Sequence, residues 1–303
     1  KYLLQSKAFT DKQITIFTNS ENKGAKSLIE DFEQQKNIKF IFFSSFFVFD
    51  RKRSFIEKSI YYFLKPIFLL VAIFKFKKIL SNSEFDVLLC ISGHYGSFRS
   101  QQAAILAADK SKISIRSIII CHACVKPPLF MGFVFKIIDY FLAKRLTSLI
   151  TISRATKQTL LNNSNLLDGN RLDGNVIHCG VPKNKFMKKN YLNLKMTRSN
   201  EFILKIGMVA RLDPDKGHGD LIIAFSKLPN KYKKKMNIII AGEDVEGQKI
   251  KLKNLVSNLN LENKVEFLDY VDMDSKKIIL SLDLFLSLTK SYEGFGLSIA
   301  EAM

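Results

Sequence analysis

Two short segments carry side chains that could handle a sugar joined to a diphosphate. In GMVARLDPDKGHGDL, Gly207 to Leu221, Arg211 and Lys216 stand in the loop between a strand pattern and a helix pattern. Arginine offers a planar fork of donors and lysine a compact charge, so two such cations at a strand's carboxyl end can converge on phosphate oxygens. Gly217 and Gly219 are expected to let the backbone turn closely there. In SYEGFGLSIAEAM, Ser291 to Met303, Glu293 falls in a loop after a strand and Glu301 within the next helix, an E-x7-E spacing. The stretch Gly294, Phe295, Gly296, Leu297 leaves backbone N–H groups at a helix start, which suits anionic oxygens. A carboxylate inside that helix can accept hydrogen bonds from a ribose diol, and one in the loop faces the sugar beyond the phosphates. Taken singly, these segments read as a solvated basic loop and a soluble helix. Together they supply cations for phosphates and carboxylates for hydroxyls, which is the chemistry of a nucleotide sugar.

Other residues invite chemical readings. His122 follows the strand SIRSIIIC and His94 follows FDVLLCISG, equivalent positions on neighbouring strands from which either could enter an acceptor-side cleft. Cys121 and Cys124 form C-x-x-C around His122, and zinc would need His178 and Cys179 alongside. With no second C-x-x-C, small buried thiols are the expected account, and no metal is expected. Glu293 and Glu301 could instead be the paired carboxylates of a glycoside hydrolase, but such an enzyme has no need of Arg211 and Lys216. The formal charge of +19 admits a non-catalytic polyanion binder. Part of that charge reflects a lysine-rich composition, however, and no recognisable nucleic-acid module is present, so no specific nucleic acid is expected.

The elements that must position these residues follow from rhythm. Apolar strand-length runs alternate with amphipathic helix-length runs twice over: from QITIFTN to NVIHCGV, and again from FILKIGMVA to DLFLSLT. The expectation is an α/β protein with two doubly wound, Rossmann-like domains facing a cleft, residues 1–181 and 201–303, joined by a basic linker at 182–200. Both ends read as cut: KYLLQSKAF resembles a helix tail, and the second domain stops in the helix SIAEAM. Four cysteines make no disulfide framework, and no leader segment stands at the start, so a cytoplasmic setting is expected. The longest clean apolar run, Pro66 to Phe74, is far short of the roughly 18–20 residues a membrane span needs. Asp50 to Leu80 instead interleaves eight basic and two acidic residues with aromatics and aliphatics, the composition of a helix lying on an anionic membrane. Pro66 in its middle argues against one continuous helix.

The runs GMVARLDPDKGHGDLIIAFSKL, NIIIAGEDVEGQKIKLKNLVSNLNLENKVEFLDYV and DLFLSLTKSYEGFGLSIAEAM strongly resemble the nucleotide-sugar half of glycosyltransferase family 4. ITISRATKQTLL and NVIHCGVPKNKF resemble the end of that family's acceptor domain, while earlier residues match by rhythm alone. The resemblance implies a GT-B fold and transfer of a sugar from a nucleotide-diphosphate sugar, the only small molecule required. Arg211 and Lys216 would bind the diphosphate, Glu301 the ribose, and Glu293 the transferred sugar or its leaving phosphate. A functional histidine would fall at His122, near the acceptor and the transferring sugar. The family is metal-independent and usually retains anomeric configuration. The acceptor implied is a glycan or a lipid-linked molecule of cell-envelope polysaccharide or glycolipid synthesis, met at the cytoplasmic face of the membrane. The family's N-terminal glycine loop and its last strands are missing from this sequence.

Overall fold

The computed structural model describes residues 11–19, 29–32, 35–43, 55–82, 84–95, 100–109, 111–127, 131–168, 172–181, 203–268 and 275–303. The expected linker at 182–200, the expected helix tail at residues 1–9 and the basic start of the Asp50–Leu80 segment at 50–54 lie outside them. The chain divides into two compact units. The first comprises Lys1–Ile119, Cys124–Ile150 and Leu160–Gly174, and the second Ile120–Ala123, Thr151–Thr159 and Asn175–Met303.

The first unit begins with β1 (Ile14–Asn19) and β2 (Ile38–Phe43), which pair in parallel as a separate two-stranded sheet, with Ile14 opposite Ile38. The next strands are β3 (Val87–Ser92), β4 (Ile115–Ile120), β5 (Ser148–Thr151) and β6 (Gly174–Val176), in the spatial order β3-β4-β5-β6; their residues Ile120, Thr151 and Asn175–Val176, like the following Ser153 and Thr156, count with the second unit. One helix joins each neighbouring pair, as parallel strands require: α2 (Ser100–Ala107), α3 (Gly132–Arg145) and α4 (Arg154–Asn163). Before β3, α1 (Phe55–Ser81) runs unbroken through Pro66, against the expectation of a break. Proline removes one hydrogen bond, but Leu69, Ala72, Phe76 and Leu80 recur at helical spacing, are buried, and offset that loss. Among the described residues no helix is long and apolar enough to cross a membrane. Asp139 on α3 is buried, accepting hydrogen bonds from the Tyr95 hydroxyl (2.5 Å), the Ser164 hydroxyl (2.6 Å) and the Asn165 N–H (2.9 Å). It ties α3 to the turn after α4, as a buried carboxylate must be tied.

The second unit is built on β7 (Leu204–Val209), β8 (Met236–Ala241), β9 (Val265–Leu268) and β10 (Leu284–Phe285), all parallel in the order β10-β7-β8-β9. Its helices are α5 (His218–Ser226), the short α6 (Asn230–Lys233), α7 (Gln248–Asn258), α8 (Ser275–Ser281) and α9 (Leu297–Ala302). Successive residues of β8 point to opposite faces. Ile238 and Ile240 join the cluster under α5 and α7 with Ile222, Phe225 and Val256, and Ile239 and Ala241 join Ile278, Ile279 and Leu282 of the α8 side. Both faces are covered, which is why IIIA, residues 238–241 of this strand, is a continuous apolar run rather than an alternating one. Each of the buried isoleucine, leucine, valine and phenylalanine side chains is worth roughly 1.5–3 kcal/mol of apolar transfer. The strand order reverses at β7: β8 and β9 extend to one side, β10 to the other. The loops leaving the carboxyl ends of β7 and β10 therefore frame the crevice where open α/β sheets take ligands.

Candidate functional site

The loop after β7 is shaped by its own residues. The Asp213 carboxylate accepts the Asp215 N–H (3.2 Å) and so caps a 3₁₀ turn, Pro214–Lys216, whose proline sits where no N–H is needed. Gly217 follows at φ +84°, a left-handed conformation, and passes the chain into α5. A Cβ there would lie 2.4 Å from the Leu288 carbonyl oxygen, so only glycine allows this loop to touch the one after β10. Gly219 corrects the expectation of a second tight turn. It lies inside α5, and its nearest neighbour would sit 3.8 Å from an added Cβ.

The loop after β10 is fastened to the first. The Lys290 N–H donates to the Asp215 carbonyl (2.8 Å), and the Lys290 ammonium pairs with Asp220 at 2.6 Å. Lys216 Nζ donates to Glu293 Oε2 at 2.7 Å, and the Thr289 hydroxyl donates to the same oxygen at 3.2 Å. A Cβ on Gly294 would come within 2.9 Å of the Cys121 carbonyl oxygen, so glycine permits that close approach. Phe295 packs on the His178 ring, centroids 5.8 Å apart, and His178 Nδ1 lies 3.1 Å from the Ile152 carbonyl oxygen.

These loops wall a cavity of about 350 Å³ within the second unit. Of the residues singled out from the sequence, Arg211, Lys216, Glu293, His122 and the run Gly294–Leu297 all line it. Glu301 does not: it lies on α9 beyond Leu297 and Ser298, and its Oε2 is 3.5 Å from the Ser275 hydroxyl. His94 belongs to the first unit, where its carbonyl accepts a hydrogen bond from the Ser92 hydroxyl (2.7 Å). Cys121 and Cys179 line the cavity as free thiols, while Cys124 is buried in the first unit. Among the described residues no three His, Cys, Asp or Glu side chains form a group able to hold a metal ion.

The charges in the cavity are coupled. Partial burial opposes ionisation of Glu293, but the Lys216 hydrogen bond and charge, the Thr289 hydroxyl and His122 together hold its carboxyl below the ordinary range. Burial lowers the His122 pKa first. Glu293 pulls it up, and Lys216 and Arg211 push it down, so the net shift is downward and the imidazole is neutral at neutral pH. Arg211 has its closest carboxylate partner in Asp213, at 3.8 Å, and its side chain is 59% exposed. The cavity thus presents two cations against one carboxylate, beside a neutral imidazole. That is a surplus of positive charge fitted to an anion, with a hydrogen-bonding wall beyond it.

Tyr292 escaped the reading of the sequence. Its ring lies 4.9 Å from that of His122, and its hydroxyl is 2.8 Å from Thr156 Oγ1. Its only signal was an aromatic residue directly before Glu293 in a polar, glycine-containing loop.

Residues 195–303 match the family described as Glycosyl transferases group 1. A mannosylfructose-phosphate synthase of Agrobacterium fabrum is 33% identical over 135 residues, 41% of this chain. The chain spans 29% of the length of that relative. Among solved structures, a glycosyltransferase of Rickettsia africae aligns with a TM-score of 0.63 at 18% identity, over 96% of this chain and 77% of its own. Anabaena HepE, solved with UDP and glucose, aligns with a TM-score of 0.60 at 16% identity, over 94% of this chain and 70% of its own. The chain therefore has the α/β, GT-B fold of these solved structures, and its residues 195–303 match the glycosyl transferases group 1 family.

Proposed function

We propose that the protein transfers a glycosyl group from a nucleotide-diphosphate sugar to a glycan or lipid-linked acceptor. The observation that carries this reading is the convergence of Arg211, Lys216, Glu293 and His122 on one cavity, at the reversal of strand order in a sheet of the matched family. In this reading Arg211 and Lys216 offset the charge that grows on the departing nucleoside diphosphate, so the leaving group is stabilised by side chains without a metal ion. The backbone of Gly294 to Leu297 borders the phosphates, and Glu301, on α9 outside the cavity lining, keeps the ribose assignment only on the strength of the family resemblance. Glu293 accepts hydrogen bonds from hydroxyls of the transferring sugar, and the neutral imidazole of His122 faces the same sugar or the acceptor. Transfer with retention of configuration, as in glycosyltransferase family 4, is the stereochemistry proposed, on the strength of the family resemblance.

The proposed setting is the cytoplasmic face of a membrane, in cell-envelope polysaccharide or glycolipid synthesis. On α1, Ile67, Leu70 and Phe74 are 55, 56 and 70% exposed, alongside exposed Lys75, Lys77 and Lys78. Such a face suits an anionic lipid surface. Sedimentation with phosphatidylglycerol vesicles, before and after neutralising those lysines, tests it; unchanged sedimentation removes the membrane claim.

Calorimetry against UDP-, GDP- and ADP-sugars, followed by assay for nucleoside diphosphate release, tests the activity. Release of free sugar without any nucleotide dependence would favour a carboxylate-pair hydrolase. Binding of nucleic acid alone, with a steep dependence on salt, would favour the polyanion binder.

A further inference from the structure

Tyr292 is not among the residues that line the cavity, yet it touches what the cavity depends on. Its ring packs against His122 with centroids 4.9 Å apart and planes inclined by 59°, within the range of favourable aromatic pairs. Its hydroxyl sits 2.8 Å from Thr156 Oγ1, which in turn is 3.0 Å from Ser153 Oγ. Ser153 Oγ also accepts the Thr156 N–H (3.0 Å), the side-chain cap of α4. Thr156 is fully buried and Ser153 nearly so, which makes this hydroxyl chain a fixed anchor rather than a solvent contact. One peptide bond further on, the Glu293 carboxylate is held by Lys216 and Thr289. Phenol and carboxylate are thus pinned at both ends of a dipeptide, with the imidazole against the phenol.

We infer that Tyr292 is a positioning residue: anchored through Thr156 to the start of α4, its ring fixes the His122 imidazole relative to the Glu293 carboxylate. The inference rests on the glycosyl-transfer reading, in which both groups face the reacting sugar. An orientation held to a few tenths of an ångström governs rate rather than donor affinity. The ring also keeps water off one side of the imidazole.

The test combines NMR titration of the four histidines with transfer kinetics, for wild type, Tyr292→Phe, Tyr292→Leu, Thr156→Val and the Tyr292→Phe/Thr156→Val double variant. Tyr292→Leu should raise the His122 titration midpoint, because water then reaches the ring and the burial that holds it down is relieved. It should also lower kcat roughly 10- to 100-fold and move the acid limb of the rate profile to higher pH, with nucleoside diphosphate affinity unchanged. Tyr292→Phe keeps the ring and should leave the midpoint in place, with kcat reduced only about 3-fold from loss of the anchor. The double variant should be no worse than Thr156→Val alone, since that change already cuts the Tyr292 hydrogen bond along with the one to Ser153. Strictly additive losses, an unmoved His122 midpoint in Tyr292→Leu, or nucleotide affinity falling in step with kcat would each overturn the inference. If no nucleotide sugar is turned over by wild type, the functional reading fails; the histidine titration and the double-variant cycle, read through stability, still judge the positioning contact.

Discussion

Lys216 and Glu293 stand 77 positions apart in the chain and meet in a 2.7 Å ion pair between loops that leave neighbouring parallel strands. The pair ties the cation expected to bind phosphate to the carboxylate expected to bind sugar. A diphosphate arriving at Lys216 must share or displace that carboxylate, and a displaced Glu293 is free to accept from sugar hydroxyls.

Lys216→Ala should weaken a nucleoside diphosphate roughly 10- to 100-fold, the worth of a charged hydrogen bond, while the free nucleoside binds as before. Calorimetry with the two ligands checks it. Equal losses for both would count against the phosphate assignment.

Glu293→Gln removes the charge that now occupies Lys216. Inorganic pyrophosphate should bind about 3- to 10-fold more tightly, since a competing charge-assisted hydrogen bond is gone. Sugar transfer should nonetheless fall. Glu293 raises the His122 pKa, so its loss should move the acid limb of any remaining activity to lower pH. A pH–rate profile of wild type and variant reads the direction.

Two neighbouring glycines should respond oppositely. Gly217→Ala forces a side chain into a left-handed residue facing the Leu288 carbonyl, and should cost about 1–3 kcal/mol or more together with donor affinity. Gly219→Ala puts a methyl on a helical glycine at ordinary contact distance from Leu255 and Leu252, 3.8 and 3.9 Å, and should stabilise by about 0.5–1 kcal/mol. Urea denaturation of both variants separates them.

His218, 2% exposed at the start of α5, has its pKa pushed down from 6.5 to about 4, first by burial and then by Lys216, with Asp213 opposing. Above pH 6.5 the ring is neutral in folded and unfolded chains alike. Between pH 6.5 and about 4 the unfolded chain takes up a proton that the folded chain refuses, so stability falls with acid, on the order of 3 kcal/mol in all. His218→Leu should flatten that part of the stability curve, measured as urea midpoints across the interval.

The residue types and the local rhythm alone were enough for the α/β plan, though not for the separate β1-β2 sheet, for most strands and helices of the second unit, and for picking out Arg211, Lys216, Glu293 and Gly294–Leu297, which the structure gathers at one cavity. Periodicity and apolar runs report which faces are buried, a property that each segment carries by itself. The IIIA of β8 reads as a doubly covered strand before any partner is known. Pairing is different, because it depends on contacts between distant segments. Only the tertiary structure put β10 beside β7, and so brought Lys216 to Glu293 rather than to another edge of the sheet. It alone left Glu301 off the cavity wall, carried α1 through Pro66 on the strength of buried neighbours, put Gly219 inside a helix, and set Tyr292 between His122 and Thr156. In each case a local preference was outweighed or completed by packing against residues far away in sequence, where the decisive free energy lies.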